Sequence, residues 1–343
     1  MSISEPQPTQ RFPWQEAAWL DLQSRAKAQR LPHAILLSGP PGVGKLAFAQ
    51  YLVQARLCRA PGPQGDPCQQ CDGCRQFLAG SHADYQFLDI EDKRKALRVE
   101  QIRGLSSWLS LTASGSGGKH AVIAQAEKMS QGASNSLLKT LEEPPGDTLL
   151  ILVTALPGRL SATIRSRCQQ LSIPRPETAQ ALAWLEARES ADWAEALALA
   201  EGAPLRALAL AGGEGVEQAR NRAKELIAIA NGRETVVSIA EKWSRQPLPE
   251  LLDWWRVWLE QLARWLQAGP AHAPAMQAIG DEDLQKFRGR IDWKSLHELL
   301  DAVNQAEKRL DSANPQLLME SLLGHWAQLC GIIGPAPAMT SAR

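Results

Sequence analysis

HAILLSGPPGVGKLAFAQYLVQARLC, residues 33–58, is the stretch that decides the fold. His33 to Ser38 is a short apolar run and reads as a buried strand. It leads into GPPGVGK, residues 39–45. Beyond Lys45 the apolar residues recur three and four apart, the spacing of an amphipathic helix. Gly39, Gly44 and Lys45 satisfy G-x-x-x-x-G-K, with Gly42 inside the loop. They do so between a strand and a helix, the context in which backbone amides curl around phosphate oxygens. The helix N-terminus adds its dipole to such a cradle, and Lys45 is placed to reach terminal phosphates. The next residue is Leu46, where a Ser or Thr hydroxyl would normally meet Mg2+. Leucine cannot ligate a hard cation. The residues alone read either as a nucleotide cradle or as a glycine-rich turn that binds nothing.

Further strands are expected at Tyr85–Ile90, Ala121–Ala124 and Leu149–Thr154, and helices at Val99–Leu111 and Ser130–Glu142, the latter stopped by Pro144 and Pro145. Strands alternating with helices imply a parallel α/β sheet. An ATP-hydrolysing pocket of this kind needs a strand ending in acids, one for the Mg2+ shell and one to polarise water. The candidate strand, in HAVIAQAEKMS, ends in Ala124 and Gln125. Glu127 comes later; two positions along a strand keep the face but move a carboxylate by about 6–7 Å. Asp89 and Glu91 read as ordinary strand-end acids. The magnesium hydroxyl and both acids are thus missing together, which points to a subunit released from hydrolysis.

The whole chain has 343 residues, enough for two or three domains, with 44% apolar and 22% charged residues. Lys plus Arg equals Asp plus Glu at 37 each. A chain that gripped DNA alone should be basic, because affinity comes mostly from neutralising phosphates. Neutrality points to a protein partner first. The start of the sequence lacks the pattern of a secretory leader, and no apolar run is long enough for a membrane span, so a cytoplasmic setting is expected. Cys58, Cys68, Cys71 and Cys74 read C-x9-C-x2-C-x2-C. Thiolates at this density suit a closed, structural, tetrahedral Zn2+ site; free thiols or an iron–sulfur cluster are the alternatives. Cys168 and Cys330 stand alone and read as buried thiols. After Pro174 and Pro176 the sequence turns helical throughout. Trp254, Trp258 and Trp265 recur there at helical intervals, as core or as a subunit interface.

Several segments together carry a family resemblance. They are GPPGVGK, the four-cysteine module behind its helix, GSHAD (residues 80–84), NSLLKTLEEPP (residues 135–145) and TIRSRC (residues 163–168). The chain resembles the clamp-loader branch of the AAA+ ATPases. The cysteine module narrows this to the gamma/tau and delta-prime subunits of bacterial DNA polymerase III, and the missing acids with Leu46 select the delta-prime type. The resemblance runs by motif over about the first 210 residues and by helical character beyond. It implies an AAA+ P-loop α/β domain with an inserted zinc module over 1–172, a small helical lid over 173–213, a helical collar over 214–334 and a flexible tail over 335–343.

It further implies a five-membered assembly with gamma/tau and delta subunits that loads a sliding clamp on primed DNA. Arg167 of TIRSRC corresponds to an arginine finger reaching the γ-phosphate of ATP held by a neighbour; read alone, it is a helix-end arginine capping carbonyls or pairing with a carboxylate. Thr154 corresponds to the sensor of the γ-phosphate, and Arg206 falls near a second sensor. Arg98 and Arg103 open a helix that lies near DNA in related loaders, or form a solvated face. The chain alone is then no enzyme, though part of the polymerase holoenzyme. ATP binding stays open and Mg2+ is not expected. The competing readings are an active gamma-type ATPase using Glu127 or Asp89, and a zinc-dependent nucleic-acid-binding module.

Overall fold

A strand that is apolar on both faces needs cover on both sides. The computed structural model describes residues 10–90, 96–115, 117–188, 192–269, 273, 276, 291–310 and 313–332. Its strands are β1 (Ala34–Ser38), β2 (Tyr85–Leu88), β3 (Lys119–Ile123), β4 (Thr148–Thr154) and β5 (Gln169–Ser172). All run parallel in the order β2-β3-β4-β1-β5, which places β1 between β4 and β5. The register sets Ser38 beside Thr154 on one side and Ser172 on the other.

The helices of this part are α1 (Glu16–Lys27), α2 (Lys45–Leu57), α3 (Asp72–Leu78), α4 (Val99–Leu109), α5 (Gln131–Glu142), α6 (Ala162–Arg167) and α7 (Thr178–Glu186). Alternate strand residues, Ala34, Leu36, Ala121, Ile123, Leu150 and Leu152, bury against Ile102, Leu105, Leu137, Leu141 and Ile164 from α4, α5 and α6. Each such leucine or isoleucine contributes roughly 1.5–3 kcal/mol on burial. On the sheet, α2 packs against β1, β3 and β4. The expected α/β class therefore holds, with element ends shifted by one to two residues. Ser130 is the cap of α5 rather than its first residue; its Oγ accepts from the Ala133 amide at 3.2 Å.

The GSHAD segment has a structural role. Asp84 is 1% exposed and accepts from the amides of Ser114 (2.8 Å) and Gly115 (2.9 Å). Its own carbonyl accepts from the His120 amide at 2.9 Å, so it ties the loop before β3 to the strand. His120 is itself buried, and burial together with the nearby Arg56 charge lowers its pKa to about 4.

The chain folds as two compact units, 1–180 and 181–343, with the border inside α7. Among the described residues the second unit holds no strand. Its helices are α8 (Trp193–Leu199), α9 (Pro204–Ala211), α10 (Gly215–Ala230), α11 (Val236–Ser244), α12 (Leu248–Ala268), α13 (Trp293–Arg309) and α14 (Pro315–Leu329). Trp243, Trp254, Trp255, Trp258, Trp265 and Trp326 are all buried in one core. Trp243 meets Trp255 edge-on at 5.2 Å, and Trp258 meets Trp326 at 5.4 Å. The tryptophan stripe is thus core within this chain, whereas Trp293 is 40% exposed. No described helix is long and apolar enough to cross a membrane. Glu91 and the tail at 335–343 lie outside the described residues.

Trp326 is wholly buried and donates from Nε1 to the Leu226 carbonyl at 2.8 Å. Trp326→Ala should destabilise the second unit by about 3–5 kcal/mol, read from urea unfolding by circular dichroism. For His120 the folded pKa lies below the ordinary value. The unfolded chain therefore takes a proton first, and stability should fall as pH drops from about 6.5 towards 4. Its imidazole resonance should stay neutral in NMR down to that range.

Candidate phosphate loop, metal centre and arginine finger

The loop from β1 to α2 is held by close approaches that only glycine allows. Gly39 (φ 149°) lies so near the β5 side that a Cβ would sit 2.2 Å from the Ile173 carbonyl oxygen. At Gly44 (φ 78°) a Cβ would meet the Phe12 ring at 2.4 Å. Gly42 also takes positive φ, at 75°. Phe12 stacks on Trp14 at 5.0 Å. Trp14 Nε1 donates to the Val43 carbonyl at 2.9 Å, and the wholly buried Gln15 donates from Nε2 to the carbonyls of Val43 and Gly44, both at 3.0 Å. This FPWQ strap stiffens the loop from outside. Sequence reasoning passed over it; the signal available was two aromatics before a helix.

Lys45 is 8% exposed, and its Nζ donates to the Pro40 carbonyl at 2.7 Å. Burial lowers its pKa to about 8, while the Glu127 carboxylate works in the opposite direction. Thr154, 1% exposed, ends β4 beside the loop, with its Oγ1 accepting from the Leu156 amide at 3.0 Å. The side where metal-binding acids would stand is differently built. Ala124 and Gln125 follow β3, and Gln125 takes φ 47°. The Gln125 amide donates from Nε2 to Asp89 Oδ1 at 2.8 Å, and the Ile90 amide donates to the same oxygen at 2.8 Å. Asp89 Oδ1 therefore accepts two hydrogen bonds from within the chain. Glu127 Oε1 accepts from the Ala155 amide at 3.4 Å, just past the end of β4, while its Oε2 is buried without a hydrogen-bond partner.

The four cysteines converge. Cys58 follows α2 and Cys71 caps α3, and the four Sγ atoms lie within 4.8 Å of one another. Four thiolates on zinc would stand about 3.8 Å apart, given Zn–S near 2.3 Å; Cys58 and Cys71 Sγ are 3.9 Å apart. Backbone amides aim at the sulfurs: Cys68 N at Cys58 (3.3 Å), Cys71 N at Cys68 (3.4 Å), Arg59 N at Cys71 (3.4 Å) and Cys74 N at Cys71 (3.5 Å). Burial resists ionisation at Cys71, yet the amides of Cys74 and Arg59 carry its pKa down to about 6. The donor set and its N–H···S bonds fit a closed structural zinc site, which these four residues would hold.

Arg167 ends α6. Its Nη2 lies 2.6 Å from Glu142 Oε1, and Nη1 donates to the Thr163 carbonyl at 3.2 Å. Cys168 beside it is buried. In the second unit, Arg206 pairs with Asp253 and, at 3.8 Å, with Glu201. Arg98 and Arg103, at the start of α4, are both exposed.

Comparison with known proteins follows the same division. The family model "DNA polymerase III, delta subunit" matches residues 14–177, and "DNA polymerase III, delta subunit, C terminal" matches 214–328. The DNA polymerase III subunit delta' of Pseudomonas aeruginosa is 38% identical over 335 residues, covering 93% of this chain and 98% of that one. The chain belongs to the delta-prime family. The delta' subunit of Escherichia coli K12 is 34% identical over 247 residues, 71% of this chain and 73% of that one. A solved gamma subunit-related protein from Thermotoga maritima aligns with a TM-score of 0.44 at 16% identity, covering 90% and 99% of the two chains.

A delta-prime chain is a clamp-loader subunit of DNA polymerase III, and here its first unit is built on the parallel sheet described above. Elemental analysis of the purified delta-prime chain should return about one zinc per molecule. Cys71→Ser should lose that metal and loosen the link between α2 and α3, seen as faster proteolysis within 58–74.

Proposed function

We propose that this delta-prime chain works in its loader without hydrolysing ATP and donates Arg167 in trans to ATP held by a neighbouring gamma/tau subunit. One observation carries the first half of that reading: the magnesium side of the phosphate loop offers Leu46, Ala124 and Gln125, with Asp89 already bonded to Gln125. Leu46, Ala124 and Gln125 offer Mg2+ neither a hydroxyl nor a carboxylate, and the two acids nearby are turned to other partners, Asp89 Oδ1 to Gln125 and Glu127 Oε1 to the Ala155 amide. The glycines and Lys45 retain a cradle for phosphate, and Thr154 stands beside it. That pocket is read as a vestigial nucleotide site.

The second half rests on exposure and chemistry. The Arg167 side chain is about one-third exposed at the end of α6. A guanidinium supplied by a neighbour stabilises the charge that develops on a transferring phosphoryl group, and it makes hydrolysis depend on assembly. Gamma/tau and delta subunits are the partners, in a five-membered assembly that places the sliding clamp on primed DNA. The net charge of zero suits DNA contact through the complex rather than by this chain alone. The lid over 173–213, the collar over 214–334, a zinc ion on the four thiolates and a cytoplasmic setting complete the reading.

Two measurements test it. The isolated chain should show no steady ATP turnover; robust turnover would favour a gamma-type ATPase that uses Glu127. In the reconstituted loader, Arg167→Ala should leave assembly intact and slow ATP hydrolysis by about tenfold or more at the site it serves. Unchanged turnover removes Arg167 from the mechanism.

A further inference from the structure

We propose that Glu142, the last residue of α5, is a positioning residue that holds Arg167 in the orientation from which it engages the neighbour's phosphate. The inference rests on the reading of Arg167 as a finger. It gives the LEEPP segment a role that the fold alone does not require.

A glutamate at the end of a helix is locally disfavoured, because its charge meets the negative end of the helix dipole. Glu142 stands in that position, and its compensation is Arg167 Nη2 at 2.6 Å. Its placement is rigid. Leu141 is buried beneath it, and Pro144 and Pro145 end the helix just beyond. The other anchor is the Thr163 carbonyl, which accepts from Arg167 Nη1 at 3.2 Å. A free arginine side chain samples many rotamers, and each must be given up when it meets a phosphate. Two anchors from two helices narrow that freedom beforehand.

The anchors leave donors to spare. Guanidinium carries five N–H groups. Two are engaged here, and roughly three remain for phosphate oxygens. The side chains of Arg167 and Glu142 are 34% and 49% exposed, so a neighbouring subunit can approach the pair without unfolding anything. An ion pair this exposed is weak. Its contribution is therefore orientation, of a size that shows in turnover rather than in fold.

The test uses the loader reconstituted with gamma/tau and delta partners and compares Glu142→Gln, Glu142→Asp, Arg167→Ala and the Glu142→Gln/Arg167→Ala double variant. Glu142→Gln should lower kcat for ATP about threefold with KM unchanged and the thermal unfolding of the chain unaltered. Glu142→Asp should recover part of the loss. In the Arg167→Ala background, Glu142→Gln should add nothing, since it acts only through the finger. A normal or raised kcat in Glu142→Gln, or a loss that adds to that of Arg167→Ala, overturns the positioning role while leaving the finger standing. Unchanged turnover in Arg167→Ala overturns both.

Discussion

The structure of the first unit depends on how closely the chain can approach itself at the end of β1. That strand lies between β4 and β5, and at its tip Gly39 comes so near the Ile173 carbonyl that no side chain fits. The approach fixes where the loop leaves the sheet, where α2 begins and so which way Lys45 faces. The strap of Phe12, Trp14 and Gln15 closes the same loop from the other side by occupying the carbonyls of Val43 and Gly44. A turn held from both flanks keeps its amides arranged whether or not a phosphate arrives. That is how the loop keeps the shape of a phosphate cradle by contacts within the chain alone.

The four-cysteine module extends the same unit by local means. Cys58 follows the last turn of α2, and Cys71 opens α3, so a metal on these sulfurs would join two helices at their ends. The loop between them is rich in proline and glycine and has few apolar residues of its own. Metal ligation is an effective way to order such a segment, because binding energy becomes folding energy where no hydrophobic core is available.

Much of this was legible in the sequence, for a physical reason in each case. β1 and β4 announce themselves because both faces are buried and their sequences are uninterrupted runs of Leu, Ile and Val. The loop was legible because its glycines follow from contact distances, and the four-cysteine cluster because its thiols lie close along the chain. β5 was not, because it is an edge strand of sequence QQLS, mostly exposed and without an apolar pattern. α1 and α3 were missed for similar reasons: α1 is only weakly amphipathic and α3 has seven residues. The partners of Asp89 and Arg167 lie 36 and 25 residues away along the chain, Gln125 and Glu142. No local pattern encodes such pairs; only the crossing of strands and helices brings them together. The tryptophans of α12 were legible as one face, but their burial within the chain follows from α11 and α14, which the periodicity of α12 alone cannot reveal.

The pair of Gln125 and Asp89 decides which side chains the turn after β3 can accept. The amide and the carboxylate are 2.8 Å apart, a distance that suits a donor facing an acceptor. An acid placed at 125 would confront Asp89 with a like charge, and one of the two would tend to stay protonated. Two carboxylates at 89 and 125 would share a proton and titrate as a pair, so the amide of Gln125 is what lets Asp89 stand ionised there.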